Sequence, residues 1–398
     1  MTSRKVKGLQ LTRDEERIFD GEKGEPQKVA IRLLYSLGEL GGADRLIPIK
    51  SAHISGVSYK NIGEGGIQFL RKMMTKVKVP TSLNPLGFDI ENGGPVEIDQ
   101  NFHKKQMEII DIYREMGIME SYTCTPYYFY NKPSFGDHIS WAESSAIIYV
   151  NSLIGARTNR ESGPSALAAA IIGKTPDHGL HRNDGRKASV IVNVDSELDY
   201  TGFAALGLYL GPKLNRSIAL IRGQRKASDL ELKAFSAALS AVSSVPMFHV
   251  EGVTPEYNLV SDGAEVINVD KSSIDETISK NSSKEEPELI AIGCPHLSAE
   301  ELSYIAGLVK GKKKVGPDLF LFTSREVKEN SKDAVKTIEN FGGKVFVDTC
   351  MVVSPLSNSY GKTGTNSGKA TFYLPLSGYG NQKVTFTGIM DLLKWVIG

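Results

Sequence analysis

Short apolar runs alternate along the chain with stretches that have helical spacing. The run from Ala188 to Val194 is apolar almost throughout, as in a strand covered on both faces, and Leu319 to Phe322 is a second such run. Amphipathic stretches lie between them, among them Asp229 to Val242. This alternation of strand and helix predicts an α/β fold of layered domains.

Residues that prefer helix termini mark the first two helices. Thr12 and Glu15 have the spacing of a capping box ahead of a first short helix. A second helix follows Pro26 and ends at Gly41 and Gly42. Its apolar stripe consists of Val29, Leu33, Leu37 and Leu40. Both segments are therefore predicted to be helical.

The clearest domain boundary is the polar and charged segment from Lys271 to Glu288. The length of 398 residues suggests two or three domains. We expect an α/β domain over 1–190, completed by the C-terminal segment 355–398. A second α/β domain over 191–285 and a third, Rossmann-like domain over 286–354 would follow.

Composition narrows the possible functions. The chain has 47 Lys and Arg against 46 Asp and Glu, so no basic excess indicates a nucleic-acid surface. The first eight residues have no apolar core of a signal peptide, and the longest apolar stretch, Ala166 to Ile172, is too short to span a bilayer. We expect a soluble, cytoplasmic protein that binds neither nucleic acid nor membrane.

The three cysteines are the first candidates for chemistry. Cys124, Cys294 and Cys350 each stand where a predicted strand gives way to a loop. Such strand ends hold ligands in open α/β sheets, and three thiolates suit an iron–sulfur cluster with one iron that has no protein ligand. The same positions allow three buried structural thiols. Zinc with His296 as a fourth ligand is also open, although His296 stands closer to Cys294 than zinc ligands usually do.

The glycine-rich segment from Ser357 to Ala370 is the most unusual part of the sequence. It fails the Walker pattern because Thr363 replaces a glycine and Ala370 replaces the metal-binding hydroxyl. Its backbone N–H groups, its hydroxyls and the ammonium of Lys369 could hold an anionic substrate. An ordinary surface loop has the same composition.

Charged residues beside predicted helices form a further group of candidates. Arg157 and Arg160 precede a helix and could bind carboxylate or phosphate, or could pair with carboxylates at a domain boundary. Glu143 and Ser144 stand at a helix start, where a carboxylate can be a cap or a catalytic acid or base. Motifs of hydrolases, dinucleotide-binding proteins and zinc proteases are absent from the sequence.

Taken together, these segments resemble the aconitase X family over nearly the whole chain. The blocks that carry the resemblance are His53-Ile-Ser-Gly-Val-Ser58, Ser82-Leu-Asn-Pro85, Tyr122-Thr-Cys-Thr-Pro126, Trp141-Ala-Glu-Ser-Ser145, Gly155-Ala-Arg-Thr-Asn-Arg-Glu161, Gly293-Cys-Pro-His296 and Gly364-Thr-Asn-Ser-Gly-Lys369.

The resemblance implies an aconitase-like architecture, with layered α/β domains around a central cleft. It also implies a 4Fe-4S cluster held by Cys124, Cys294 and Cys350, with one iron lacking a protein ligand. Substrate contacts carry over to Gly56, Val57, Ser58, Asn84, Pro85, Glu143, Ser144 and Lys369. Arg157 and Arg160 are our own addition to that set, based on their chemistry.

The activity that the resemblance implies is dehydration of (R)-5-phosphomevalonate to trans-anhydromevalonate 5-phosphate, in a modified mevalonate route to isoprenoids. The expected partner is a small subunit, a swivel-domain chain that forms a heterodimer and brings a serine as the proton acceptor. Dehydration of cis-3-hydroxy-L-proline is an alternative within the family. A non-catalytic iron–sulfur or zinc scaffold protein is an alternative from another class.

Overall fold

The structure, a computed structural model, describes residues 8–93 and 97–397. The first seven residues, which belong to the segment where we expect no signal peptide, lie outside these ranges. None of the helices described has both the length and the apolar composition that crossing a bilayer requires.

The first domain packs helices around a small parallel sheet with the strand order β3-β2-β4. Strands β1 and β5 form a separate antiparallel pair. The elements in chain order are α1 (Arg13–Asp20), α2 (Glu25–Gly41), β1 (Leu46–Pro48), β2 (Ala52–Ile54), α3 (Tyr59–Lys72), β3 (Thr81–Leu83), α4 (Gln100–Glu115), β4 (Ser140–Trp141), α5 (Ser144–Tyr149), α6 (Gly163–Ile172) and β5 (Lys174–Pro176).

The second domain has a parallel sheet with the strand order β8-β7-β6-β9. Its elements are β6 (Ala188–Val194), α7 (Tyr200–Leu214), β7 (Ala219–Arg222), α8 (Asp229–Val242), β8 (His249–Val250), β9 (Val260–Val269) and α9 (Lys271–Lys280). The apolar faces of α7 and α8 pack together in its core.

The third domain has a five-stranded parallel sheet with the order β12-β11-β10-β13-β14. Its elements are β10 (Leu289–Leu297), α10 (Ala299–Val309), β11 (Asp318–Thr323), α11 (Arg325–Asn330), α12 (Lys332–Phe341), β12 (Lys344–Phe346), β13 (Lys362–Thr365), α13 (Gly368–Tyr373), β14 (Lys383–Phe386) and α14 (Ile389–Lys394). Every residue of β10 is buried, because helices cover both faces of this sheet.

The helix caps agree with the sequence patterns. Thr12 and Glu15 form both hydrogen bonds of the capping box at α1, and α2 ends at Gly42 in the left-handed conformation. The stripe of α2 that is most buried is not the predicted one. It consists of Ala30, Ile31, Leu34 and Gly38, and Leu40 is 86% exposed. Small residues lie on the buried face because another helix, α6, packs against it.

The strand pairing differs from the expected domain limits in two places. Strands β13 and β14 belong to the third sheet, whereas we expected segment 355–398 to complete the first domain. Strand β13 lies beside β10 and β14 pairs with β13, and the sequences of these short strands carry no sign of which sheet they join. Strand β6 begins at Ala188, so the expected boundary at 190 falls inside a strand of the second sheet.

Two local predictions also differ from the structure. Half of the polar segment 271–288 is the helix α9, which packs through Ile274 and Ile278 on the second core and offers few other apolar residues as a signal. The segment before Cys124 is a loop and not the predicted strand, although it bonds to β3 through Thr123 N–H and Leu83 O, 2.9 Å apart, because Tyr122 has φ 37°, outside the extended region.

The first and third domains meet at an interdomain junction formed by residues 86–90 and 347–349. Leu86 pairs in parallel with Thr349, whose hydroxyl donates to Leu86 O at 2.9 Å. The Asp89 carboxylate accepts the Val347 N–H at 3.1 Å. Cys350, the next residue of the third domain, is thereby fixed against the first.

The close packing of α7 on α8 generates a stability prediction. A Cβ at Gly207 would lie 2.7 Å from Ala238 Cβ and 2.8 Å from the backbone nitrogen of Leu239. Gly207→Ala should lower the free energy of unfolding by about 1–3 kcal/mol, because the helices would have to separate. Urea unfolding followed by circular dichroism measures this change.

The matched control is Gly307→Ala in α10. This glycine is exposed, and a Cβ there would have no heavy atom within 4 Å. The substitution should raise the free energy of unfolding by about 0.5–1 kcal/mol, since alanine loses less backbone entropy in a helix. Equal effects of the two substitutions would contradict the packing argument.

Candidate active site

Cys124 and Cys350 lie in loops, whereas Cys294 lies inside β10, which continues to Leu297 and does not end at the cysteine as predicted. Cys124 comes from the first domain, and Cys294 and Cys350 come from the third. Their exposed fractions are 8%, 6% and 8%, and all three are free thiols. The structure therefore places buried, unpaired sulfurs of two domains in one region.

Burial raises the pKa of each of these thiols above its ordinary value. The pKa of Cys294 is raised to about 12, and the pKa of Cys124 is raised well above its ordinary value. After burial, negative charges on nearby groups contribute, and those on Cys124 include Glu143 and both other thiols. The three sulfurs are thus within electrostatic reach of one another and of Glu143.

Two of the sulfurs already accept hydrogen bonds from the backbone. The N–H of His296 donates to Cys124 Sγ at 3.2 Å, and the N–H groups of Val352 and Val353 donate to the Cys350 sulfur. Hydrogen bonds of this kind stabilise thiolates that ligate iron–sulfur clusters. Three buried thiols, two of them with such donors, fit a cluster.

A single metal ion fits less well. In residues 8–93 and 97–397, no three His, Cys, Asp or Glu side chains are close enough to hold one ion. His296, the fourth zinc ligand considered above, uses both ring nitrogens in hydrogen bonds, Nδ1 with Thr123 Oγ1 at 3.0 Å and Nε2 with Thr349 O at 2.9 Å. A cluster needs wider spacing, because its thiolates bind different iron atoms.

Glu143 and Lys369 form a buried ion pair beside the thiols. Glu143 caps α5, accepting from the Ala146 N–H at 2.6 Å and from the Ser145 hydroxyl at 2.7 Å, and its other oxygen contacts Lys369 Nζ. Lys369 Nζ also lies 3.4 Å from Ser144 Oγ. The predicted residues 143, 144 and 369 therefore meet, although they come from different domains.

The ion pair fixes the charge of both groups. Burial would raise the pKa of Glu143, but Lys369 and the hydrogen-bond donors outweigh it and hold the pKa below the ordinary 4.5. Burial would lower the pKa of Lys369, but Glu143 and Cys294 raise it above its ordinary value. A carboxylate with a lowered pKa is a weak general base. Glu143 is accordingly suited to orienting Lys369 rather than to taking a proton.

The glycine-rich segment that carries Lys369 is more ordered than its composition suggests. Residues Lys362–Thr365 form β13, and Ser367 caps α13 by accepting the Ala370 N–H at 3.1 Å. The Ser367 hydroxyl also contacts the backbone carbonyl of Cys294. Lys369 is thus held on a rigid helix start next to a cysteine.

Gly56, Val57 and Ser58 form the loop between β2 and α3. Gly56 has φ 74°, in the left-handed region, and Ser58 is the N-cap residue of α3. The buried Gln106 side chain holds the loop by donating to Val57 O at 3.0 Å. The Ser58 hydroxyl lies 3.5 Å from Val353 O, near Cys350. This loop therefore faces the third domain at the cysteine site.

Asn84 and Pro85 follow β3, at the same sheet edge as the 56–58 loop. The Asn84 amide oxygen lies 3.1 Å from His53 Nε2, and His53 Nδ1 lies 2.7 Å from the Ser82 hydroxyl. Burial lowers the pKa of His53 to about 4, so the ring is neutral. His53 is fully buried and positions Asn84.

Arg157 and Arg160 differ from the other predicted site residues. Arg160 donates to Ser243 O at 2.6 Å and Ser240 O at 2.7 Å, at the end of α8. Arg157 donates to His181 O at 2.9 Å. Both guanidinium groups contact backbone carbonyls, and Arg157 Nη2 also lies 3.9 Å from a Glu256 carboxylate oxygen of the second domain. Pairing with a carboxylate at a domain boundary, the structural alternative that we considered, is therefore found for Arg157.

Lys60 is a cation near Cys350 that the sequence reasoning missed. Its Nζ lies 3.3 Å from Tyr379 O, and burial lowers the pKa of Lys60 while the nearby Cys350 raises it. No carboxylate lies within ion-pair distance of it in the part of the chain that the structure describes. Its position two residues after Ser58, in the first turn of α3, was the available signal.

Family models match the chain over most of its length. The model described as the aconitase X first domain matches residues 8–184, the second domain 188–279 and the third domain 287–397. These ranges agree with the three sheets.

Individual relatives give the same result. The phosphomevalonate dehydratase large subunit of Methanosarcina mazei is 46% identical, over 94% of this chain and 96% of that protein. The crystal structure of Thermococcus kodakaraensis aconitase X (holo-form) superposes with a TM-score of 0.91 at 42% identity, over 98% of this chain and 100% of that chain. A cis-3-hydroxy-L-proline dehydratase of Pseudomonas aeruginosa is 32% identical, over 98% of this chain but 70% of that protein.

The buried ion pair generates a prediction about stability. Lys369→Met should lower the free energy of unfolding by about 3–5 kcal/mol, because it leaves the Glu143 carboxylate buried without a partner. The double variant Lys369→Met/Glu143→Gln should lose less than Lys369→Met alone, since the uncompensated charge is gone. Urea unfolding of the cluster-free chain at pH 7 measures both.

A lower pH should reduce the loss of unfolding free energy that Lys369→Met causes. Without Lys369, burial raises the pKa of Glu143, so the carboxyl is neutralised as the pH falls and its desolvation cost disappears. The control is Lys226→Met, which breaks a surface ion pair with Glu197. The side chains of Lys226 and Glu197 are 89% and 83% exposed, so this substitution should leave the free energy of unfolding unchanged. A pH-independent penalty for Lys369→Met would contradict the assignment.

Proposed function

The chain belongs to the aconitase X family, and on that premise we propose that it is the large subunit of a phosphomevalonate dehydratase. This enzyme is a hydro-lyase, which removes water from (R)-5-phosphomevalonate to give trans-anhydromevalonate 5-phosphate. The observation that carries the proposal is the meeting of three buried thiols from two domains beside the Glu143–Lys369 pair.

The proposed cofactor is a 4Fe-4S cluster bound by Cys124, Cys294 and Cys350. The name of the holo-form neighbour supports a bound cofactor in the family, and the buried thiols with their N–H donors support an iron–sulfur type. When bound, the cluster supplies a Lewis acid, the iron without a protein ligand, for the tertiary hydroxyl of the substrate.

The residues of this chain bind and orient the substrate in our proposal. Lys369 and Ser144 present an ammonium and a hydroxyl in one place, and Glu143 keeps Lys369 protonated and aimed. The 56–58 loop and Asn84 would contact the substrate from the first domain. These groups are fixed before substrate arrives, which favours stabilisation of the charge that develops in the reaction.

A second cation is needed because the substrate carries both a phosphate and a carboxylate. Lys369 already pairs with Glu143, so this pair has little net charge to offer. Lys60 lies near Cys350 without a carboxylate partner among the described residues. We assign Lys60 to one of the two anionic groups of the substrate.

The proposed partner is a small subunit with a swivel domain that completes the site as a heterodimer. The words "large subunit" in the names of the relatives support a partner of this kind. The proton acceptor would come from the small subunit, since Glu143 has a lowered pKa. A cytoplasmic location for the complex remains part of the proposal.

The alternatives have less support. The cis-3-hydroxy-L-proline dehydratases are less similar to this chain, and they are longer proteins of which it covers 70% and 65%. A non-catalytic scaffold would have no use for a buried ion pair beside the thiols. Dehydration of a phosphorylated hydroxy acid therefore remains the better-supported function.

The first test is anaerobic purification of the chain together with its small subunit. The complex should be brown, should convert (R)-5-phosphomevalonate to the anhydro product, and should show a change in cluster absorbance when substrate is added. Each of Cys124→Ser, Cys294→Ser and Cys350→Ser should abolish absorbance and activity together. As a control, the cluster-free variants should unfold at nearly the wild-type temperature. Colourless protein that contains zinc after reconstitution would exclude the cluster.

The second test concerns Lys60. Lys60→Met should raise KM for phosphomevalonate about 10- to 100-fold, as expected for loss of a hydrogen bond to a charged group. Lys72→Met, at the exposed end of the same helix, is the matched control and should keep the wild-type KM. An unchanged KM in Lys60→Met would remove Lys60 from the substrate site.

A further inference from the structure

His296 contacts the neighbours of all three cysteines. It lies two residues after Cys294 in β10 and is fully buried. Its ring Nδ1 lies 3.0 Å from the hydroxyl of Thr123, the residue before Cys124. Its ring Nε2 lies 2.9 Å from the carbonyl of Thr349, the residue before Cys350. One imidazole thus links the segments of the three thiols.

The partners of the ring define its proton position. The carbonyl of Thr349 can only accept a hydrogen bond, so His296 Nε2 carries the proton and donates it. His296 Nδ1 is then the acceptor, and the Thr123 hydroxyl donates to it. The Thr123 oxygen in turn accepts the Thr125 N–H at 3.2 Å, which closes the turn around Cys124.

The backbone of His296 adds two more links. Its N–H donates to Cys124 Sγ at 3.2 Å, and its carbonyl accepts from Lys233 Nζ at 3.2 Å. Lys233 belongs to the second domain, is fully buried and pairs with Glu301. All three domains therefore bond to this one residue.

We propose that His296 is a positioning residue that holds the three thiols in a cluster-ready arrangement before iron binds. The proposal rests on the iron–sulfur site of the proposed function. Cys124 and Cys350 belong to different domains. Besides the interdomain junction, the ring of His296, which bonds to both Thr123 and Thr349, sets the distance between these two cysteines. Without the ring, each thiol would move with its own loop.

The two ring contacts can be removed separately. Asparagine places its amide near the position of histidine Nδ1, so His296→Asn keeps an acceptor for Thr123 and loses the bond to Thr349. Glutamine reaches the position of Nε2, so His296→Gln keeps a donor for Thr349 and loses the bond to Thr123. His296→Ala loses both.

The first experiment measures alkylation of each cysteine in the full-length, cluster-free chain, by iodoacetamide labelling and peptide mass spectrometry. His296→Asn should speed labelling of Cys350 about tenfold, and His296→Gln should do so for Cys124, because one buried hydrogen bond changes a local opening equilibrium by about that factor. Thr123→Val, which removes the donor hydroxyl, should reproduce the Cys124 effect. Cys294, inside β10, should keep its wild-type rate in all of them.

The control is His249→Gln. His249 is also fully buried, and its Nε2 lies 2.8 Å from Arg186 O in the second domain, away from the cysteines. If His296 had a purely structural role, its variants would change the labelling rates in the same way as His249→Gln, or would raise the rates of all three cysteines together. Either result would overturn the proposal, as would wild-type rates in the two single-contact variants.

The second experiment follows the reconstituted chain under anaerobic conditions. His296→Ala should lose iron to a chelator about tenfold faster than the wild type and should show a shifted electron paramagnetic resonance spectrum of the reduced cluster, since the thiolates are less fixed. Retention and spectrum equal to wild type would overturn the role of His296. If the wild-type chain itself takes up no iron, the proposed function fails, and the labelling pattern alone decides whether His296 fixes the thiols.

Discussion

The site depends on the parallel contact between Leu86 of the first domain and Thr349 of the third. Leu86 N–H donates to Asp348 O at 2.6 Å, and Arg325 holds the Asp348 carboxylate through two contacts of 2.6 Å. Asp348 has φ 61°, a conformation that a non-glycine residue keeps only when its surroundings hold it. These contacts hold the segment that carries Cys350 against the first domain. Cys350 is thereby brought near Cys124, which belongs to that domain. Neither domain alone contains the site.

Burial gives the site two opposing electrostatic properties. It raises the pKa of all three thiols, so the proposed cluster would have to displace their protons, and its uptake would be coupled to pH. The Lys369 ammonium opposes this effect at Cys294 and Cys350, where its charge lowers the thiol pKa. Lys369 thus favours the thiolate form of two cysteines while Glu143 keeps it charged. The residues proposed to bind the substrate and the thiols proposed to bind the cluster therefore influence one another's pKa values.

The sequence was sufficient to predict the limits of elements that local residues define. The helix Asp229–Val242 has the predicted limits, because Ser228 and Glu231 form a capping box at its start. Sheet membership was not predictable for β13 and β14, since strands of four residues carry no signal that favours one parallel sheet over another. The face of α2 depends on its neighbour α6, whose many alanines allow close approach. Tertiary contacts decide these questions, and residue spacing does not report them.

The directions of the site side chains were not predictable from the sequence either. Arg157, Arg160 and Lys369 are all cations in polar segments near helix starts, and their spacing gave no reason to separate them. The arginines turn to carbonyls at the end of α8 and near His181, whereas Lys369 turns to a carboxylate. A guanidinium has several donors in a plane and can satisfy multiple carbonyls, which suits the ends of helices that lack partners. An ammonium bound to one carboxylate and one serine can still donate a third hydrogen bond. Of the three cations, Lys369 is the one whose charge lowers the pKa of Cys294 and Cys350, so its remaining donor lies beside the thiols.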